Sequence, residues 1–252
     1  MLLPDALGVT RGEMVSLIGA GGKTTTLFRL AKELRDQGCK LLVTTTTKFF
    51  KPAKPHIDRL FLVDDVQALL DVCADLATPT IICAGCGVNQ EGELLGMPTQ
   101  WLDRLNLDGA FDAILVEADG AASRLLKIPV DGEPVIPESC QTTVWIVAIK
   151  ILGKPLTDEW VQRAARARDL LGLPADARVT EEVLLQLLQH ENGCLKGIPA
   201  ASRKLALINQ ADSAAEMASA QALGKKLQRL NFANVVITSY ASAEPMIRGI
   251  AD

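Results

Sequence analysis

The chain has 252 residues with 26 basic and 30 acidic side chains, a formal net charge of −4, and it is 48% apolar and 22% charged. That is the composition of a globular domain long enough to bury a sizeable core. There is no basic surplus to displace the counterions of a nucleic-acid backbone, and the two histidines, His56 and His190, cannot make a His-rich metal centre.

The N-terminal Met1-Leu2-Leu3-Pro4-Asp5 lacks the basic flank and apolar core of a signal peptide, and no apolar run approaches the roughly 20 residues that cross a bilayer. Six cysteines lie scattered, with only Cys83 and Cys86 close together, unlike the dense spacing of a disulfide-stapled domain. The expectation is a cytoplasmic protein without nucleic-acid or membrane partners.

In chain order, Met14–Ile18 is a short apolar run of buried-strand type, followed by a glycine-rich turn and a helix from Thr24 to Leu34 carrying Leu27, Leu30, Ala31 and Leu34 at helical spacing. Lys40–Thr44 reads as the next strand, completing a βαβ unit. Strands are expected at Leu60–Val63, Thr80–Ala84, Ala113–Glu117 and Val144–Ile149, with a helix from Val66 to Leu76. Beyond Gly153, Thr157 is placed as the N-cap of a helix through Leu171, and Thr180 as that of one through His190. This makes residues 154–198 a candidate helical insertion or cap. Alternation resumes with Lys204–Ile208, Ala214–Leu230 and Val235–Thr238. The fold expected is α/β, one domain over residues 1–252, with a doubly wound, mostly parallel sheet of P-loop NTPase type.

Between the first strand and helix stands Gly19-Ala20-Gly21-Gly22-Lys23-Thr24-Thr25. Glycines let main-chain N–H groups face anionic oxygens, and the helix N-terminus adds its dipole. Lys23 is expected on the β- and γ-phosphates, and the Thr24 hydroxyl on Mg²⁺. The spacing is G-x-x-G-K-T, because Leu17 stands where the longer form of this loop begins, and the shorter loop resembles that of Mur ligases.

Thr44-Thr45-Thr46-Thr47-Lys48 closes the second strand, at the end where open parallel sheets bind ligands. A hydroxyl there, Thr46 foremost, can ligate Mg²⁺ or meet the γ-phosphate, and Lys48 can stabilise charge on a transferred phosphoryl group. Ile114–Val116 leads into Glu117 and Asp119, which share strand parity. One carboxylate can hold Mg²⁺, with Asp119 the favoured metal residue, while the other orients or deprotonates a nucleophile. Downstream, Arg124, Lys127 and Glu133 flank a proline-rich segment that can line a pocket. Asn209-Gln210-Ala211-Asp212 at a late strand end resembles the N-K-x-D element of GTPases, with Gln210 in the lysine position. Asn209 and Asp212 are thus base-pocket candidates, with Thr238-Ser239 nearby. Cys83-Ala84-Gly85-Cys86 supplies two of the four ligands zinc takes, and the pair is read as buried and inert.

The phosphate loop, the Val43–Lys48 stretch, and Val116-Glu117-Ala118-Asp119-Gly120-Ala121 followed by Leu126–Pro129 and Glu133–Pro137 together resemble the YqeC family over most of the chain. Members of that family are described as accessory proteins of selenium-dependent molybdenum hydroxylases, so the resemblance implies a part in maturing such an enzyme or its cofactor. The residues themselves lead to a Mg²⁺-dependent nucleoside triphosphatase using ATP or GTP. The alternatives are an ATP-dependent small-molecule kinase or ligase, and a nucleotide-gated module without turnover.

Overall fold

The computed structural model describes residues 1–241 and 246–250. The apolar run around Met14 forms β1 (Glu13–Gly19), and the periodic leucines form helix α2 (Lys23–Asp36), preceded by a short helix α1 (Leu3–Leu7). There follow β2 (Lys40–Thr45), β3 (Lys48–Phe50), β4 (Arg59–Leu62), α3 (Val66–Ala74), β5 (Thr80–Gly85), β6 (Gly87–Val88), β7 (Glu93–Leu95), α4 (Thr99–Asp108) and β8 (Ala113–Glu117). The second half contains β9 (Leu126–Lys127), β10 (Thr142–Ala148), β11 (Val161–Gln162), α5 (Ala164–Leu171), α6 (Glu181–Gln189), β12 (Arg203–Asn209), α7 (Ala214–Leu227), β13 (Asn234–Ser239) and β14 (Met246–Gly249).

Nine strands form one sheet in the order β14-β13-β12-β10-β1-β8-β2-β5-β4, parallel throughout except for the antiparallel edge pair β13–β14. Strand parity divides the core. Val15 and Leu17 of β1 join Leu27, Leu30, Ala31 and Leu34 of α2 on one face, whereas Met14 and Ile18 join the cluster made with α3 to α7 on the other. Burial on both faces is why these strands read as unbroken apolar runs.

From β1 the chain crosses to β2 on one side, and from β10 to β12 on the other. The adjacent pair β1–β10 is therefore the topological switch point, and the crevice beyond its carboxyl ends is where ligands of open α/β sheets sit. Gly19 through Thr25 turn at that point.

The helix expected from Thr157 begins only at Ala164. The main-chain carbonyl of Trp160 accepts from Leu125 and Leu126 (2.9 and 3.4 Å), drawing Val161–Gln162 into a parallel pair with Leu126–Lys127. That long-range pairing overrides the local helical pattern, and Asp158 rather than Thr157 receives the Ala164 N–H, at 2.9 Å. At Thr180 the expected cap is present: its hydroxyl accepts from Val183 N at 3.2 Å. Residues of α5 and α6 such as Ala164, Leu184 and Leu187 belong to the same apolar cluster as Trp145 of β10.

Candidate functional site

The turn after β1 is held by its neighbours on every side. Gly19 N–H donates to Asp119 Oδ2 (3.0 Å), Ala20 N–H to the Ile146 carbonyl (2.9 Å) and Gly21 N–H to the Arg124 carbonyl (3.0 Å). Glycine is required at three places, the first being Gly19 (φ +93°), where a Cβ would collide with the Ile146 carbonyl oxygen. At Gly21 (φ +81°) a Cβ would stand 2.6 Å from both Cβ and N of Ala148, and at Gly22 (φ +129°) it would collide with Asn209 Nδ2. The main-chain N–H groups of Gly22, Lys23, Thr24 and Thr25 find no acceptor among the described residues. They are the free donors at the start of a 14-residue helix, where the macrodipole favours an anion.

These donors face a cleft of about 640 Å³, into which Thr24, Thr25, Lys48, Glu117 and Gln210 also open. Its far side is lined by Gly120–Leu125, Glu133, Gln162 and Arg163, and Phe50, 73% exposed, stands at its rim.

Lys23 Nζ donates to the Gly19 carbonyl at 2.7 Å and lies 3.0 Å from Asp119 Oδ1, both side chains being 4% exposed. Behind them Lys127, fully buried, stands 3.6 Å from Asp119 and 3.0 Å from Glu133, at ion-pair distance but without hydrogen-bond geometry. Asp119 thus pins the loop and neutralises two ammonium groups. Glu117 faces the cleft instead: its Oε2 accepts the Thr24 hydroxyl at 2.8 Å. Burial raises the Glu117 carboxyl above its ordinary value, against the opposing pull of Lys23 and of the Thr24 hydrogen bond.

The threonine run is largely engaged in closing the structure. The Thr44 hydroxyl donates to the Ala84 carbonyl (2.7 Å), Thr45 to that of Glu117 (2.7 Å) and Thr46 to that of Val135 (2.6 Å). Thr46 lies outside the cleft lining, whereas Lys48 is within it, ion-paired to Glu93 at 2.6 Å.

Asn209 and Asp212 do not line the cleft. Asn209 donates to the Gly21 carbonyl (2.8 Å) and accepts from Thr238 (2.9 Å), clamping the loop from the neighbouring strands. Asp212 accepts from Ser239 (2.6 Å) and from Lys150 (2.5 Å), and the Lys150 hydrogen bond holds its carboxyl below the usual range. A lysine does stand beside Asp212, but it comes from the helical turn after β10, Ile149–Ile151, rather than from the Gln210 position.

Of the cysteine pair, Cys83 is buried, with its thiol pushed up to about 12 by desolvation, while Cys86 is exposed, which corrects the expectation that both are buried. Among the described residues no three His, Cys, Asp or Glu side chains group as a metal site, and no helix is long and apolar enough to cross a membrane. Sequence reasoning missed Arg163 and Gln162 because they fall inside the helix expected from Thr157. It missed Lys150 because a single lysine after an apolar strand carries no pattern.

A family model described as "YqeC protein" matches residues 15–165, a span that contains Lys23, Glu117, Asp119, Lys127, Glu133 and Arg163 and leaves out Asn209 and Asp212. A protein of Escherichia coli (strain K12) described as "Uncharacterized protein YqeC" is 34% identical over 209 residues, covering 83% of this chain and 80% of that one.

Proposed function

We propose that this chain, which belongs to the YqeC family, is a Mg²⁺-dependent nucleoside triphosphatase of the P-loop type. The observation that carries the reading is the set of four N–H groups, Gly22 to Thr25, without an acceptor among the described residues, opening with the Thr24–Glu117 pair onto one cleft. Such a row of donors at a helix start fits the oxygens of a phosphate chain. To reach the β- and γ-phosphates Lys23 exchanges its Gly19 and Asp119 partners for them, at the cost of leaving Asp119 to Lys127 alone.

On this reading Thr24 and Glu117, 2.8 Å apart, supply the oxygens for Mg²⁺, a hard cation that takes one or two protein ligands, phosphate oxygens and water. Bound there, Mg²⁺ would neutralise charge on the β- and γ-phosphates. Asp119 is then a positioning residue that fixes the loop through Gly19, and Thr46 a brace between β2 and the segment at Val135. Asn209 holds the loop carbonyl of Gly21 and bears on the base only through Gln210 and Asp212. ATP and GTP both remain substrates of the proposal. We propose further that turnover serves the maturation of a selenium-dependent molybdenum hydroxylase or its cofactor, as the family resemblance implies, in the cytoplasm.

Thermal shift with ATP, GTP and their non-hydrolysable analogues, with and without Mg²⁺, tests the reading. A ligand at a hundred times its Kd stabilises by about 2.7 kcal/mol, roughly 5–11 °C at 2–4 °C per kcal/mol for a chain of this size. Stabilisation by at least one triphosphate that requires Mg²⁺, with phosphate release from the hydrolysable form, is the expected result. No shift with either nucleotide overturns it.

A further inference from the structure

The cleft is wider in chemistry than a phosphate chain needs. Along its far side stand Arg124, Gln162 and Arg163, contributed by the segments around β9 and β11 rather than by the phosphate loop. We propose that this wall is a second anion subsite, which takes the phosphate or carboxylate group of a small second substrate beside the bound nucleotide. The inference rests on the nucleotide reading above for what occupies the loop, but the wall's own chemistry is independent of it.

Two observations support it. The first is charge. Arg124 and Arg163 contribute two positive charges against one from Glu133, a local surplus of one, in a cleft open to water. The second is preorganisation. Arg163 donates to both oxygens of Glu133, at 2.7 and 3.1 Å, and to the Ile128 carbonyl at 3.3 Å. Lys127, fully buried and 3.0 Å from Glu133, stands behind that carboxylate. A guanidinium carries five N–H donors. Three of them are spent in fixing its plane, and two are left for a ligand. Arg124 spends two, on the Asp158 and Ala122 carbonyls, and keeps three.

Position completes the argument. The Arg124 carbonyl accepts from Gly21 N–H at 3.0 Å, so the wall adjoins the phosphate loop directly. An anion held by the free donors of Arg124 and Arg163 lies next to the terminal phosphate of a nucleotide on that loop. Arginine forks match the paired oxygens of phosphate and carboxylate, and the surplus of positive charge suits a compact anion.

The test is a calorimetric titration of inorganic phosphate, with malonate in parallel, into the full chain. It is run ligand-free and again saturated with Mg²⁺ and a non-hydrolysable nucleoside triphosphate analogue. Phosphate is expected to bind saturably in both states and to persist in ligand-free Lys23→Ala. It should weaken at least tenfold in Arg163→Gln and in Arg124→Gln, while both variants bind the analogue within threefold of wild type. Tighter malonate than phosphate identifies a carboxylate substrate, and the reverse a phosphate one. Melting temperatures check folding. If Arg163→Gln is unfolded, Arg124→Gln and Gln162→Leu decide. The subsite is overturned if wild type shows no saturable phosphate binding once the analogue is bound, or if Lys23→Ala abolishes all phosphate binding. It is equally overturned if the arginine variants lose the analogue as much as phosphate, for then the wall belongs to the nucleotide site. Failure of the analogue to bind wild type at all sinks the nucleotide reading instead, and the ligand-free titrations still decide on the wall.

Discussion

Asp119→Asn separates a loop-fixing carboxylate from a metal-binding one. Asparagine keeps the shape of the side chain and an oxygen for the Gly19 N–H, which Asp119 accepts at 3.0 Å. What it removes is the charge that faces Lys23 at 3.0 Å and Lys127 at 3.6 Å, in a place where the carboxylate is 4% exposed. Removing one partner of a buried ion pair costs about 3–5 kcal/mol, because the other charge stays behind. Here Lys127 retains Glu133 at 3.0 Å and Lys23 retains the Gly19 carbonyl at 2.7 Å, which points to the lower end, about 3 kcal/mol. For a chain of this length that corresponds to a fall in Tm of roughly 6–12 °C. Thermal and urea unfolding followed by circular dichroism measure it. The loss should persist in 1 M salt, since buried pairs are screened little. The Mg²⁺ dependence of nucleotide binding should survive, because Glu117 and not Asp119 stands beside Thr24. A variant as stable as wild type that has lost its response to Mg²⁺ would refute this reasoning and make Asp119 the metal ligand.

Glu117→Gln should abolish the Mg²⁺ response while stabilising the ligand-free protein. The Glu117 carboxyl is raised by burial, so its contribution to stability is present below the unfolded value and is lost as pH rises through the folded one. The variant's advantage should therefore be larger at pH 7 than at pH 4 in urea titrations, and equal stability at both pH values contradicts the assignment. Gly21→Ala places a Cβ 2.6 Å from Ala148 at φ +81°. It should cost about 1–3 kcal/mol and weaken nucleotide binding in calorimetry. Asn209→Ala removes the clamp on the Gly21 carbonyl and leaves the buried Thr238 hydroxyl without its acceptor. It should lower stability by about 1–3 kcal/mol and weaken ATP and GTP alike. A loss confined to one nucleotide would mean that Asn209 reads the base. In native thiol labelling at pH 8, the exposed Cys86 should react first and the buried Cys83 and Cys194, both pushed up to about 12, only after unfolding.

The central strands were legible because burial on both faces leaves apolar runs such as Leu41–Val43 and Leu115–Val116 bounded by polar residues. The tight turn after β1 was legible because Gly19, Gly21 and Gly22 take φ values closed to most other residues. Where long-range pairing decides, local pattern misled. Thr157 carries a good cap signature, yet Trp160 is drawn to Leu125 and the helix waits until Ala164. The two- and three-residue strands β3, β6 and β7 have no period to detect. Helix α4 was overlooked although Leu102 and Leu105 stand at helical spacing, because Pro98 and the polar residues around them resemble a loop. At the cleft, the sequence pattern singles out Lys23, Thr24, Lys48 and Glu117, which line it, together with Thr46, Asn209 and Asp212, which do not. That Glu117 rather than Asp119 meets Thr24, and that Asp119 is closed in by two lysines, depends on side-chain directions at a strand end. Arg163, which lines the same cleft, itself takes a left-handed conformation at φ +68° before α5, which no local pattern announces.

Calorimetric titration of Mg²⁺-ATP and Mg²⁺-GTP into the wild-type chain and into Lys23→Ala tests the central claim most directly. One of the two nucleotides should bind wild type saturably at a single site. Loss of the charge-assisted contact in Lys23→Ala should weaken it by about 2–3 kcal/mol, roughly 30- to 150-fold. Equal affinity in the two proteins, or no binding of either nucleotide to wild type, would contradict it.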